Sequence, residues 1–350
     1  MNEPRQNTGP ELSSAAAMLH LIMGFRVSRT IFIAAKLGLA DLLQDGPRTS
    51  EQLARTTGTH APSLYRVLRA LVSIGVFYGD DEQGFALTPL GNTLRSDTSG
   101  SLRHWAMLVL GDEHYQAWGD LAYSVQTGES AFRHIFGTNT YGYDSQHPEH
   151  AKIFNEAMAN LTGFYNAAVR DSYSFSGIGK VVDVGGGDGS LVIALLRANP
   201  GMKGIVFDLP QVTERAKQRI REAGLEERCE AITGDQFVSV PSGGDMYILS
   251  RCLGAFDDAR VIQLLKSCRA VMPEKGKLLL IERLLPARLG NSITAHHAFM
   301  SDLNMLVNTG GQERTETEHC ALLKAAGFRV TSVVPTQSEM SVVECVPAGS

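Results

Sequence analysis

Several things are scarce or missing in this sequence. Positive charge is not in excess: 32 Lys and Arg stand against 37 Asp and Glu, a net of −5. No global cationic field draws the chain to a phosphate backbone, so nucleic acid is unsupported as a partner. The five cysteines, Cys229, Cys252, Cys268, Cys320 and Cys345, fall toward the C-terminal end without metal-ligand spacing or paired regularity. No metal site or disulfide framework is indicated, and reduced thiols of a cytoplasmic protein are the simplest account. Long apolar runs are also missing, since the most apolar early stretch, 15–43, is broken by His20, Arg26, Arg29 and Lys36. That falls short of the ~20 uninterrupted apolar residues a membrane span needs. Residues 1–13 lack a basic-then-apolar signal pattern and read as a loose polar arm, so a soluble chain without a membrane partner is expected.

What is present is ordinary globular material: 350 residues, 43% hydrophobic and 20% charged, enough for two folding units. Between Ala15 and Leu43 the residues Met18, Leu21, Ile22, Phe25, Ile31, Ile33 and Leu37 recur at helical spacing and cover more than one stripe. Such a helix needs a partner surface, in a dimer or between domains. Residues 48–90 hold two short helical patterns and a hairpin pattern with a DDEQG tip, a winged helix-turn-helix outline. Thr49 or Ser50 can cap the first helix, Pro62 opens the second, and Val76–Tyr78 with Phe85–Leu87 supply strands. Arg66 and Arg69 would serve a DNA ligand, but Glu51, Asp80, Asp81 and Glu82 surround them, which favours a packing module over a DNA reader. Residues 101–175 are helical in pattern, and from 176 to 350 short strands alternate with helices. That alternation predicts an α/β fold, a doubly wound parallel sheet with helices on both faces. The expected division is therefore 1–100, 101–175 and 176–350.

The most specific motif is VVDVGGGDGS at 181–190, a strand ending in an acid that runs into a glycine loop and a helix start. Glycines allow close backbone approach to a ligand, and the following helix start offers free N–H donors. Gly185, Gly187 and Ser190 fit the dinucleotide pattern only with Ser as its last residue. Asp188 stands where a diphosphate would need to sit. Asp208, in GIVFDLP about 20 residues on, is placed to accept both hydroxyls of a ribose. TGDQF at 233–237 adds Asp235 and Phe237, suited to an adenine amino group and ring face. Asp183, Asp208 and Asp235 form a ring of acids that suits a sulfonium better than a diphosphate.

On these residues the chain resembles the S-adenosylmethionine-dependent small-molecule O-methyltransferases of the plant caffeate type and their bacterial relatives, over nearly its whole length. Residues 244–272 are most similar to the phenazine-1-carboxylate N-methyltransferase type. The resemblance implies a dimerising winged-helix domain, a Rossmann-like catalytic domain and S-adenosyl-L-methionine as cofactor. The implied cofactor residues are Asp183, Gly185, Gly187, Asp208, Leu209, Gly234, Asp235, Gln236, Phe237, Ser250 and Arg251. Arg251 could instead recognise an acceptor carboxylate or form an interdomain ion pair.

One departure stands out. The family's general-base His and the Asp after it are replaced by Gly254 and Ala255, while the acids that flank the base survive as Glu282 and Glu313. Methyl transfer from a sulfonium is an in-line displacement with a good leaving group, so positioning can carry it where the acceptor is a ring nitrogen, a carboxylate or an ionised phenol. Gly254 also opens space for a wide, flat acceptor. Substitute bases are His296 and His297, of which at most one can aim at a given acceptor; His114 is a similar candidate, with a structural hydrogen bond as its plainer role. Met158, Phe164, Phe299, Met300 and Met305 suit an apolar acceptor wall, though each also suits a core. Asp302 and Asn304 need polar partners, and Asp302 is the first choice for a polar acceptor contact. The expectation is O- or N-methylation of an aromatic or heteroaromatic secondary metabolite by a homodimer. A non-methylating enzyme on the same fold and a ligand-responsive DNA-binding regulator are the alternatives.

Overall fold

The computed structural model describes residues 13–98 and 100–349, with Gln211 described by its backbone alone. The arm expected at 1–13 lies, apart from Ser13, outside the described residues. Two compact units meet in sequence between Gly111 and Asp112. The helices expected as one segment, 101–175, therefore divide between the units.

The first unit comprises α1 (Ser14–Ile22), α2 (Gly24–Lys36), α3 (Leu39–Leu42), α4 (Ser50–Thr57), α5 (Ala61–Ser73), β1 (Phe77–Asp80), β2 (Gly84–Leu87), α6 (Pro89–Asn92) and α7 (Arg103–Val109). The Thr49 side chain caps α4 in a reciprocal pair with Gln52. Its core gathers Leu39, Leu53, Leu68, Leu71, Phe77 and Phe85. Asp80 and Asp81 prove structural. Asp80 accepts the N–H groups of Glu82 and Gln83 in the hairpin tip, and Asp81 accepts Ser50 N–H at 2.8 Å. Arg103 ties α7 into this unit by donating to Asp41 at 2.8 Å and to the Ala35 carbonyl at 3.0 Å, which is why the segment after 100 divides.

The single early helix expected over 15–43 is broken at Met23, and none of α1 is buried within the unit. Leu21 and Ile22 are 71% and 61% exposed, and Met18, Leu19 and Phe25 join them. By length and composition Ser14–Lys36, with a mean hydropathy of 1.3, is apolar enough to cross a membrane, contrary to the expectation from its charged interruptions. Such a surface in water calls for a covering partner.

The second unit comprises α8 (Asp112–Gly119), α9 (Leu121–Thr127), α10 (Ala131–Phe136), α11 (Thr140–Gln146), α12 (Pro148–Ser172), β3 (Lys180–Val184), α13 (Ser190–Ala198), β4 (Lys203–Asp208), α14 (Pro210–Glu222), β5 (Cys229–Thr233), β6 (Met246–Ser250), α15 (Asp258–Val271), β7 (Lys277–Glu282), β8 (Leu284–Leu285), α16 (Ile293–Thr309), β9 (Arg314–Thr315), α17 (Glu316–Ala325), β10 (Phe328–Pro335) and β11 (Ser341–Pro347). Seven strands form one sheet in the order β10-β11-β7-β6-β3-β4-β5. β3, β6 and β7 are buried along nearly their whole length on both faces, as a parallel sheet between helix layers requires, with Asp183 and Glu282 as buried acids among otherwise apolar residues. The sheet is not all parallel: β11 inserts antiparallel to both β7 and β10. Its sequence, SVVECVP, follows β10 after a short turn, so it closes as a hairpin without a crossover helix. The chain winds from β3 outward through β4 and β5, then returns through β6 and β7 on the other side. The order reverses between β3 and β6, where ligands bind at the C-terminal strand ends.

Candidate active site

At that reversal β3 delivers the glycine loop. Gly185 takes φ +73° and Gly189 φ +77°, a left-handed region that L side chains rarely adopt. A Cβ on Gly185 would stand 3.0 Å from Gln236 Oε1 and 3.8 Å from Cys252 Cβ, so the missing side chain keeps a narrow passage open between TGDQF and the end of β6. The loop is pinned to β4: Gly185 and Gly186 donate to the Phe207 carbonyl at 2.8 and 3.2 Å. Asp208 accepts Gly187 N–H at 2.9 Å and Leu209 N–H at 2.7 Å. Burial raises the Asp208 pKa, and these two donors oppose it. A carboxylate has about four acceptor positions, so capacity for a ligand's hydroxyls remains.

Asp188 does not leave the loop anionic, as its place in the motif suggested. It pairs with Arg219 of α14 and accepts Ser190 N–H at 3.1 Å, so its charge is matched from 31 residues away. Asp235 similarly turns inward to its own loop, accepting Phe237 N–H at 2.8 Å. The Phe237 ring carries the Arg260 guanidinium 3.9 Å from its centroid and meets Phe256 edge-on at 5.0 Å. Gly234 sits so close to Phe207 that a Cβ would overlap the ring at 2.5 Å.

Three buried polar atoms around the Gly185 passage have no hydrogen-bond partner among the described residues: Asp183 Oδ1, Gln236 Oε1 and Arg251 Nε. Native interiors rarely leave such groups unpaired, so their convergence marks a place for a ligand carrying both donors and acceptors. Asp183 is 2% exposed, and burial, aided by the negative charge of Asp208, pushes its pKa to about 7. Arg251 follows Ser250 at the end of β6 and is the one non-glycine residue with left-handed backbone among those described, φ 54°. That conformation costs about 1–3 kcal/mol and is typical of functional sites. It is held by Arg251 N–H to the Ile281 carbonyl at 2.9 Å and by the guanidinium, which donates to Thr162 Oγ1 at 2.5 Å and lies 5.2 Å from the Tyr165 centroid. Among the described residues Arg251 forms no ion pair, so the interdomain pair considered from sequence is not what anchors it. Thr162 was not legible as its partner, because nothing local in α12 distinguishes that hydroxyl.

The turn after Arg251 leads to the two acids. Glu282, 4% exposed, accepts Cys252 N–H and Leu253 N–H through one oxygen, both at 3.1 Å. Burial pushes its pKa to about 8 despite those donors. Glu313 is half-buried, and its Oε1 accepts from Ser301 at 2.9 Å and from Arg283 at 3.4 Å. Burial raises its pKa, while Ser301 and Arg283 hold it back. Gly254 lies between these acids. A Cβ there would stand 3.6 Å from Glu313 Oε2, 3.6 Å from Met305 Cε and 3.5 Å from the Gln312 carbonyl, all ordinary contacts.

Other expected residues fall differently. Asp302 accepts Glu313 N–H at 2.8 Å, so it positions that acid's backbone and is not reserved for an acceptor. Asn304 accepts from Trp118 Nε1 at 3.0 Å and from Asn308 at 2.8 Å, the partner within the protein that its place demanded. His296 is exposed, and His297 pairs with Glu339 at 3.2 Å; neither bonds to Glu282 or Glu313. Both are exposed within this unit and are not brought to the two acids. His114 is 8% exposed, its Nδ1 has no hydrogen-bond partner among the described residues, and burial pushes its pKa down to about 4. Met158, Phe299 and Met305 are half-buried, whereas Phe164 and Met300, at 55% and 43% exposed, do not join a closed wall of this unit.

Residues 118–329 match the family model described as an O-methyltransferase domain, and residues 19–97 match the O-methyltransferase dimerisation domain. The chain is 45% identical to the phenazine O-methyltransferase PhzM of Lysobacter antibioticus, over 95% of this chain and 96% of that one. It is 32% identical to the phenazine-1-carboxylate N-methyltransferase of Pseudomonas aeruginosa, over 95% of this chain and 97% of that one. Among solved structures, the O-methyltransferase NcsB1 from neocarzinostatin biosynthesis, in complex with S-adenosylmethionine and 2-hydroxy-5-methyl naphthoic acid, superposes with a TM-score of 0.79 at 32% identity, covering 92% of this chain and 96% of that one.

Proposed function

The chain belongs to the S-adenosylmethionine-dependent O-methyltransferase family, as its catalytic and dimerisation domains and its relatives show, and from that premise we propose that it methylates a hydroxyl group on a flat, fused-ring heteroaromatic acceptor of the phenazine class. It is a methyltransferase of small aromatic secondary metabolites that uses S-adenosylmethionine.

The observation that carries the choice of acceptor is Gly254. Its φ is not left-handed and a Cβ would fit, so neither backbone nor packing demands glycine there. The missing side chain leaves a position bounded by Met305, the Gln312 carbonyl and the Glu313 carboxylate, apolar on one side and able to accept a hydrogen bond on the other. A flat ring system bearing a hydroxyl suits both walls.

The residues present fit the cofactor. Its amino-acid tail carries both charges, and Asp183, Gln236 and Arg251 offer unpaired groups of both kinds beside Gly185. Asp208 would take the ribose hydroxyls, with Leu209, Gly234, Asp235 and Phe237 around the base and Gly187 and Ser250 lining the approach. Bound there, S-adenosylmethionine supplies a methyl group on a cationic sulfur, which makes burial and positioning of the acceptor the protein's main task. Two copies would associate through the exposed apolar faces of α1 and α2, and the enzyme would work in the cytoplasm.

N-transfer is the second reading, favoured by the vacant base position, since a ring nitrogen needs no deprotonation. A panel of a monohydroxyphenazine, phenazine-1-carboxylate and a single-ring catechol, analysed by mass and by NMR for the methylated atom, separates the two. Methylation at the hydroxyl of the fused acceptor is expected. A methyl on ring nitrogen would favour the second reading, and no methylated product from any acceptor would sink the proposal.

A further inference from the structure

The two acids beside Gly254 have unequal freedom. Glu282 spends one oxygen on two backbone N–H groups of the turn that carries Gly254, and it lies in the core. Glu313 has Oε1 engaged by Ser301 and Arg283 and its backbone N–H held by Asp302, yet its Oε2 makes no hydrogen bond among the described residues. That free oxygen is the one facing the gap, 3.6 Å from where a Gly254 Cβ would be. Ser301 on α16 and Arg283 at the end of β7 thus fix one carboxylate oxygen, Asp302 fixes the backbone, and the other oxygen is left facing the side-chain position that Gly254 does not fill. Preorganisation of this kind is what a proton acceptor needs.

We propose that Glu313 is itself the general base, its Oε2 receiving the acceptor's hydroxyl proton through the gap at Gly254. This deepens the reading above and rests on it. As the acceptor oxygen bonds to the methyl carbon, the carbon–sulfur bond breaks and its electron pair leaves with S-adenosylhomocysteine; the hydroxyl proton passes to Glu313 Oε2 and then to water. Glu282 acts as a positioning residue through the turn. The charged and titratable groups around Glu313 are Arg283 and Glu282 at the end of β7, Asp302 on α16, Glu339 between β10 and β11, which also pairs with Arg283, and Tyr165 on α12.

The test uses the full-length enzyme, a monohydroxyphenazine and Glu313→Gln. With the hydroxyl protonated at low pH, the variant is expected to lose about 10²–10⁴-fold in kcat, the usual range for a general base. At a pH where the free hydroxyl is already ionised, the loss shrinks below about 10-fold, because nothing need be removed. A readout apart from turnover is the absorbance of the acceptor bound with S-adenosylhomocysteine. Removing the facing carboxylate lowers the pH at which the bound hydroxyl ionises, because an anion beside it no longer opposes that charge. Equal losses at both pH values, or an unmoved ionisation of the bound acceptor, would overturn the proposal. If Glu313→Gln does not fold, Glu313→Asp, which keeps the charge but withdraws it by one methylene, is read by the same two comparisons. Should wild-type enzyme methylate only ring nitrogen, the reading of the acceptor fails, a result distinct from a wild type that methylates oxygen with Glu313 dispensable.

Discussion

The proposed cofactor cleft and the proposed acceptor pocket around Gly254 share the turn 250–255 but are built differently. In the cleft, buried polar atoms of Asp183, Gln236 and Arg251 are left unpaired, and a strained backbone is tolerated at Arg251. Around Gly254 the protein holds its own acids: Ser301 and Arg283 engage one oxygen of Glu313, Asp302 holds its backbone N–H and Glu282 holds the turn, which leaves Glu313 Oε2 without a hydrogen bond among the described residues. A cleft that binds one invariant ligand can leave its interactions for that ligand to complete. The proposed pocket is shaped instead by what Gly254 lacks.

The largest expected break in that comparison is Asp208→Ala. The carboxylate serves the loop through Gly187 and Leu209 and has capacity left for two hydroxyls, and hydrogen bonds to a charged group contribute about 1.5–3 kcal/mol each. Calorimetry should show S-adenosylmethionine affinity falling by roughly 10²-fold or more, and unchanged affinity would contradict the cleft as drawn. A second effect lies outside both sites. Leu21→Glu with Ile22→Glu places charge on the most exposed apolar face of the first unit, and light scattering should then report a monomer in place of a dimer. The smallest effect concerns Glu282. Its folded pKa of about 8 lies above the ordinary carboxylate value, so its contribution is fully present below pH ~4.5 and is lost as pH rises through 8. Glu282→Gln should flatten the fall of Tm between pH 5 and 9 by at least about 2 °C; a fall as steep as the wild type's would show that Glu282 does not titrate there.

Much of the cleft was legible in the sequence because its chemistry is local. A strand, glycines and an acid adjacent in the chain can be placed without knowing the rest of the fold, and Asp208 at the end of β4 follows from the period of β–α–β units. What the sequence hid were pairings between distant segments. Asp188 read as free charge because Arg219 lies a helix away, and Asp302 read as an acceptor contact because Glu313 N–H comes from beyond the end of α16. His296 and His297 were attractive as residue types, but which face of α16 is covered is decided by packing. The winged-helix acids likewise read as surface charge when Asp81 caps α4 across the hairpin. β11 is not signalled by strand–helix alternation, because a closing antiparallel strand carries no crossover helix to announce it.

The central claim is that Gly254 makes the acceptor pocket by what it lacks, and Gly254→His tests it most directly: a Cβ there meets only ordinary contacts, and a thermal melt of the variant checks that the added ring leaves it folded. Methylation rates of the wild type and the variant would be compared on a three-ring hydroxyphenazine and a single-ring catechol, with S-adenosylmethionine affinity measured alongside. The account predicts unchanged cofactor affinity, loss of the three-ring acceptor by at least about 10-fold and retained or improved turnover of the single ring, the size of effect expected when a side chain fills or vacates a pocket. Undiminished turnover of the three-ring acceptor with an imidazole in the gap would contradict it.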